Sequence, residues 1–190
     1  MGFLSREQLE ALGFRSLGAN IKISDKASIY GASNITLGDN IRIDDFCVIS
    51  SGAGGFFIGS HIHIAIYSSI IGQGKVTLSD FSNISSRVSI YSSNDDYSGA
   101  ALTSPVVDPR FANVMHGEVY LGKHVIVGSG SIILPNSIIN EGVAIGALSM
   151  VKGELEPFTI YAGSPLRKIK KRKKSLLNLE KEFLEQYNQQ

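Results

Sequence analysis

Four histidines and the adjacent carboxylates Asp95 and Asp96 are the residues of this 190-residue chain best suited to moving a proton. An imidazole exchanges its proton near neutral pH, so His61, His63, His116 and His124 are each candidate general bases. His61 and His63 flank Ile62, which would point both rings the same way. A zinc-type centre would need a third imidazole at matching spacing, and no other histidine offers it, so no metal is expected. Asp95 and Asp96 are adjacent, and a neighbouring like charge is one way to make a carboxylate basic enough to serve an alcohol. The run from Arg167 to Lys174, RKIKKRKK, could hold phosphates or could be the solvated start of a helix. It lacks the interleaved aromatics that would indicate nucleic-acid binding. Cys47 is the only cysteine, which excludes an internal disulfide and a thiolate zinc cluster and leaves a packed thiol as the expectation.

These residues need elements to position them, and the bulk composition limits which. Lys and Arg number 18 against 17 Asp and Glu, a net charge of +1, so there is no global field for nucleic acid or an anionic membrane. The apolar runs are broken by Gly, Ser and Asn well short of a membrane span, and the N-terminus MGFLSREQLE lacks a basic region followed by an apolar core. A soluble cytoplasmic protein is expected.

The organising signal is a six-residue period. In VGSGSIILPNSIINEGVAIGALSMV, residues 127–151, a branched aliphatic residue returns at Val127, Ile133, Ile139, Ile145 and Val151. The count extends back through Leu121; Leu78, Ile84 and Ile90; Ile58, Ile64 and Ile70; Leu37, Ile43 and Ile49; and Ile23 and Ile29. The residue four after each anchor is usually small or β-branched, as at Cys47, Ala53, Ser68, Val88, Ser131 and Ser149. Neither a helix near 3.6 nor a half-buried strand at 2 has this period. A six-residue unit is a short strand plus a corner, and three units close one triangular coil whose anchors are buried only by stacking on the next coil. The fold class expected is all-β, a left-handed parallel β-helix of hexapeptide repeats. Extra residues at 35–36, 55–57 and 76–77 are expected to bulge at corners, and the repeat is lost in a long loop, 96–120.

The ends resemble caps. Ser5-Arg6-Glu7-Gln8 is a capping-box pattern before Leu9 and Leu12, giving an N-terminal helical cap over 1–18. The β-helix domain then runs over 19–166, and the spacing of Leu176, Leu179, Phe183 and Tyr187 gives a C-terminal helix within 167–190.

A hexapeptide solenoid with one long loop before its last two coils, followed by YAGSPLRKIK, resembles the left-handed β-helix acyltransferases, and most closely the galactoside and maltose O-acetyltransferases. The resemblance covers roughly residues 20–170 and implies an acetyl-CoA-dependent acetyltransferase, assembled as a homotrimer with active sites between subunits. It implies that the corners at Val127-Gly128-Ser129 and Ile145-Gly146-Ala147 hold the pantetheine arm, with Lys152 nearby. It also implies that Arg167 and Lys170, in Gly163-Ser164-Pro165-Leu166-Arg167-Lys168-Ile169-Lys170, meet the nucleotide phosphates. One departure concerns the base: the loop histidine of that family falls on Asp95 within Tyr91-Ser92-Ser93-Asn94-Asp95-Asp96. His63 falls where the family has a sugar-contacting tyrosine, so it should face the cleft. His63 and Asp95 are too far apart to meet in one chain, but the corner of one prism meets the loop of the next across a threefold interface. A catalytic pair in trans is the expectation, with Asp95 orienting the imidazole that takes the substrate proton. Asp96, Tyr97, Asn113 and Met115 are expected to shape the acceptor site.

The leading expectation for function is acetyl transfer from acetyl-CoA to a sugar hydroxyl in surface-polysaccharide or lipopolysaccharide biosynthesis. The alternative is N-acetylation of a nucleotide-linked amino sugar, where deprotonation asks less of the base and loss of the loop histidine matters less.

Overall fold

A computed structural model describes residues 2–187. The hexapeptide units form the three faces of a triangular prism, each a parallel sheet whose successive strands come from successive coils. The first face has seven strands, Ser16–Leu17, Ile35–Leu37, Phe56–Ile58, Val76–Leu78, Val119–Leu121, Ser137–Ile139 and Glu154–Leu155. The second holds Ile21–Ile23, Ile41–Ile43, Ile62–Ile64, Asn83–Ile84, Ile126–Val127, Ala144–Ile145 and Thr159–Ala162; the third runs from Ser28–Tyr30 to Met150–Val151. Every anchor from Leu37 to Val151 is at most 3% exposed, and the anchors register directly on one another, Ile43 on Ile64, Ile64 on Ile84 and Ile84 on Val127. Ile29, near the open end, is partly buried. Cys47 has no exposure and lies in this column as a packed thiol.

The extra residues do not bulge where expected. Ile35, Phe56 and Val76 begin strands and are buried, so the first face carries a second inward residue two before each anchor. The slack is taken up just before them, by the 3-10 turn Ala32–Asn34 and by turns at 52–55 and 73–75, where Ala53 is exposed rather than packed. Inward packing on both ends of a three-residue strand outweighs the period counted from one anchor.

Many corners carry a non-glycine residue in the left-handed region: Asn40, His61, Phe81 and His124 have φ of 57° to 59°. Stacking compensates this backbone cost. The His61 and Phe81 rings are 4.7 Å apart and the Phe81 and His124 rings 5.2 Å, close to the spacing of adjacent strands.

Both caps form. Helix α1, Arg6–Ala11, has the reciprocal capping box, with Gln8 N–H donating to the Ser5 hydroxyl and Ser5 N–H to the Gln8 side chain; Leu9 is buried against the first coil. The C-terminal segment differs from the expected helix over 167–190. Arg167–Lys171 is an antiparallel strand on Thr159–Ala162, the chain reversing through Gly163 at φ 101° and Pro165, and α2 covers only Leu176–Tyr187. The last second-face strand offers an open row of backbone groups, and pairing it satisfies more hydrogen bonds than a helix start there would. Residues 188–190 of the expected helix, and Met1 of the expected cap, lie outside the described residues. Helix α2 covers the ring-stacked corner: Phe183 meets His61 and Phe81 edge-on, and Glu180 binds His124 at 2.8 Å and Lys123. No described helix is long and apolar enough to cross a membrane.

Candidate active site

The fold separates the four imidazoles. His61 and His124 lie in the corner stack beneath α2, and His116 Nδ1 is 2.9 Å from the Ser93 hydroxyl at the root of the long loop. That root is a two-stranded ribbon, Ser93–Asn94 against Met115–His116, which anchors the loop's two ends to the third face. His63 is different. It points outward from the second face, its side chain 42% exposed, and register puts it between Arg42 one coil before and Asn83 one coil after.

His63 is held from within its own chain. Its Nε2 lies 2.8 Å from Asp44 Oδ2, while Asp44 Oδ1 accepts a 2.7 Å bond from Arg42 Nε. The Asp44 side chain is only 10% exposed. Burial resists its charge, but the bonds from His63 and Arg42 outweigh burial and hold its carboxyl below the usual aspartate range. Sequence reasoning missed Asp44. A signal was present, since Asp44 follows the anchor Ile43 where other coils carry Ser24, Ala65, Ser85, Gly128, Gly146 and Ala162. A carboxylate in a column of small residues, one coil from a histidine, needs a partner.

That column continues as a track. Ser85 N–H donates to Val127 O, Gly128 N–H to Ile145 O and Gly146 N–H to Tyr161 O, and Ala162 registers on Arg167. Four strand spacings make the line from Ser85 to Arg167 about 19 Å long. Ser129 and Ala147 lie exposed beside it on successive corners, where Leu148 N–H donates to Ser129 O at 2.9 Å. The glycines keep it low: a Cβ on Gly128 would come within 2.5 Å of Ala147 N. Arg167 and Lys170 are exposed on the edge strand that ends the track. Lys152 is elsewhere, sharing a small cleft with Asn94, Met115 and Asn136 beyond the third face.

The loop residues fall into two groups. Asp95, Asp96 and Tyr97 line one cleft of about 490 Å³ with Gly99, Ala101 and Thr103. Met115 belongs to the Lys152 cleft, and Asn113 is exposed between them. Asp96 Oδ1 accepts from Ser98 N–H at 2.8 Å, and this bonding from Ser98 holds its carboxyl below the usual range. Among the described residues no group of three or more His, Cys, Asp or Glu could hold a metal ion.

An imidazole braced by a carboxylate, beside a low glycine track ending in cations, can deprotonate a nucleophile next to an extended phosphate-bearing thioester. Known proteins are similar to this chain in sequence over most or nearly all of its length. The dTDP-4-amino-4,6-dideoxy-D-glucose acyltransferase of Escherichia coli is 58% identical over 183 residues, 96% of this chain and 95% of its own. WbbJ, an Escherichia coli protein named for O-acetyl transfer in lipopolysaccharide biosynthesis, is 30% identical over 78% of this chain and 74% of its own. The chain belongs to the hexapeptide-repeat β-helix acyltransferases. No protein-family model matches it. Among solved structures, AntD, an N-acyltransferase from Bacillus cereus in complex with dTDP and 3-hydroxybutyryl-CoA, is 50% identical, with 98% of each chain covered and a TM-score of 0.93. This acyltransferase is therefore closer to enzymes of the amino-sugar type than to the sugar-hydroxyl type expected first, and the comparisons favour the second of the two expectations.

Proposed function

We propose that this acyltransferase moves an acyl group from a CoA thioester to the amino group of a dTDP-linked 4-amino-4,6-dideoxy sugar. The observation that carries the reading is the 58% identity, over 96% of the chain, to an enzyme named for that acceptor. The chemistry agrees. A neutral amine attacks the thioester carbonyl, CoA leaves as the thiolate, and the proton to be removed comes from a nitrogen already made acidic by bond formation, which asks less of a base than an alcohol does. Acetyl-CoA is the proposed donor.

In this reading the pantetheine arm runs along the Gly128 and Gly146 corners past Ser129 and Ala147, with Arg167 and Lys170 at the nucleotide phosphates, while Lys152, in the separate cleft beyond the third face, is not assigned to the arm. His63 is the general base. The loop residues Asp95, Asp96, Tyr97, Asn113 and Met115 meet the acceptor from the neighbouring subunit of a cytoplasmic homotrimer whose sites lie between protomers. AntD was studied with substitutions at a serine and an aspartate ten positions apart. Ser85 and Asp95 keep the same separation here, as do Ser86 and Asp96; of the two serines Ser85, just after the second-face strand, lies in the column that leads to Gly128, which adds it to the proposed site.

The reading is tested by thiol release from acetyl-CoA with dTDP-4-amino-4,6-dideoxyglucose, other nucleotide-linked amino sugars, maltose and galactosides as acceptors. The dTDP amino sugar should have a kcat/KM at least 10²-fold above any hydroxyl acceptor, because a site built for one polar group rejects analogues lacking it. A hydroxyl sugar matching it would overturn the reading, and replacing acetyl-CoA with 3-hydroxybutyryl-CoA measures the donor preference.

A further inference from the structure

We infer that Asp44 is the positioning residue for His63, fixing the imidazole in the tautomer whose Nδ1 faces the acceptor. The inference rests on the reading of His63 as the base in acyl transfer. An imidazole has two nitrogens. Nε2 is 2.8 Å from Asp44 Oδ2, and an ionised carboxylate can only accept, so in the neutral ring Nε2 carries the hydrogen and Nδ1 keeps the lone pair.

The carboxylate is itself fixed. Arg42 Nε donates to Oδ1 at 2.7 Å, so each oxygen has its own partner and the group cannot turn away from the ring. It is 10% exposed while the imidazole it braces is 42% exposed, the disposition of an inner support and an outer working group. Its position adds to this, since Asp44 stands in a column filled elsewhere by serine, alanine and glycine.

The pairing also reassigns a role. With Nε2 engaged by Asp44, a hydrogen bond from Nδ1–H to Asp95 of the partner subunit would occupy the second nitrogen and leave none for the substrate proton. The orienting carboxylate is therefore Asp44, from the same chain, and Asp95 of the partner subunit is left to meet the acceptor amine. In the transfer step Nδ1 takes the proton from the ammonium formed when the amine adds to the thioester. The ring becomes an imidazolium against Asp44, and the proton then passes to the departing thiolate or to water.

The test has two readouts. Nitrogen-15 NMR of histidine-labelled wild-type enzyme, with His63→Gln to assign the signal, should show the neutral form of the His63 ring carrying its hydrogen on Nε2. In Asp44→Asn the Nε2–H preference should fall, and kcat for the dTDP amino sugar should drop about 10²- to 10⁴-fold with acceptor KM within about threefold, as expected for loss of correctly poised base catalysis. Asp44→Glu, which keeps the carboxylate, should recover part of kcat. A wild-type His63 with hydrogen on Nδ1 would overturn the inference whatever the variants do. So would an Asp44→Asn enzyme with kcat within twofold of wild type, or one whose loss comes with an unchanged tautomer. If the protein transferred no acyl group to any amine, the acyl-transfer reading would fall while the tautomer measurement still reported on Asp44.

Discussion

At the scale of single residues, the site divides into a braced imidazole and a cationic end. His63→Ala should lower kcat by about 10² to 10⁴ with little change in CoA affinity, since the role proposed for the ring is on the proton rather than on the cofactor. Arg167→Ala with Lys170→Ala should do the reverse, weakening CoA binding by about 1 to 3 kcal/mol, roughly 5- to 150-fold in Kd, read by isothermal titration. An unchanged Kd would remove both residues from the phosphate site. The outward placement of His63 was legible from the sequence because a histidine beside an anchor must point away from the core. Asp44 was not, because a carboxylate next to Ile43 and followed by Asp45 reads as a solvated corner until the coil spacing brings it to His63. Ser85 was hidden for the opposite reason, as one of many small residues that the repeat itself requires.

At the scale of elements, legibility follows burial. The anchors were readable because each must fill the same column, and the N-terminal helix because its capping box satisfies backbone donors through side chains named in the sequence. The strand Arg167–Lys171 was not readable, since all five of its residues are exposed and its position is set by backbone pairing and by surface bonds from Lys168 and Lys171 to Glu156, which leave no apolar period. The glycine track makes an element-level prediction. Gly128→Ala places a methyl against the Ala147 backbone of the next coil, so the corners must part. The substitution should lower stability by about 1 to 3 kcal/mol, as overpacking does, and should weaken CoA binding as well. A second concerns α2. Burial opposes the charge of Glu180, but its bonds to Lys123 and His124 prevail and hold its pKa below the ordinary 4.5. A carboxylate lowered by folding adds stability that is complete above its unfolded pKa and is lost as pH falls through its folded value. The difference in thermal midpoint between wild type and Glu180→Gln should therefore shrink as pH drops below about 4.5. A difference that grows as pH falls below about 4.5 would contradict the pairing.

At the scale of the whole molecule, the long loop and the second-face site belong to one another only if protomers assemble. Register places His63 on the second face and roots the loop beyond the third, which supports the proposed trimer, in which the loop that serves the site comes from a neighbour. Light scattering at micromolar concentration should return three times the 20.5 kDa chain mass. Mixing His63→Ala with Asp95→Ala chains under verified subunit exchange should restore activity, because some interfaces then carry both intact residues. Mixed trimers without activity would place the two residues in one protomer's site or remove one of them from catalysis. The central claim, that the acyl group ends on nitrogen, is tested most directly by isolating the product formed from acetyl-CoA and dTDP-4-amino-4,6-dideoxyglucose. Carbon-13 and proton NMR of the sugar, with and without hydroxylamine treatment, distinguish an amide from an ester. An amide at the 4-amino position that resists hydroxylamine is the result predicted, and an ester on a ring hydroxyl that hydroxylamine cleaves would contradict it.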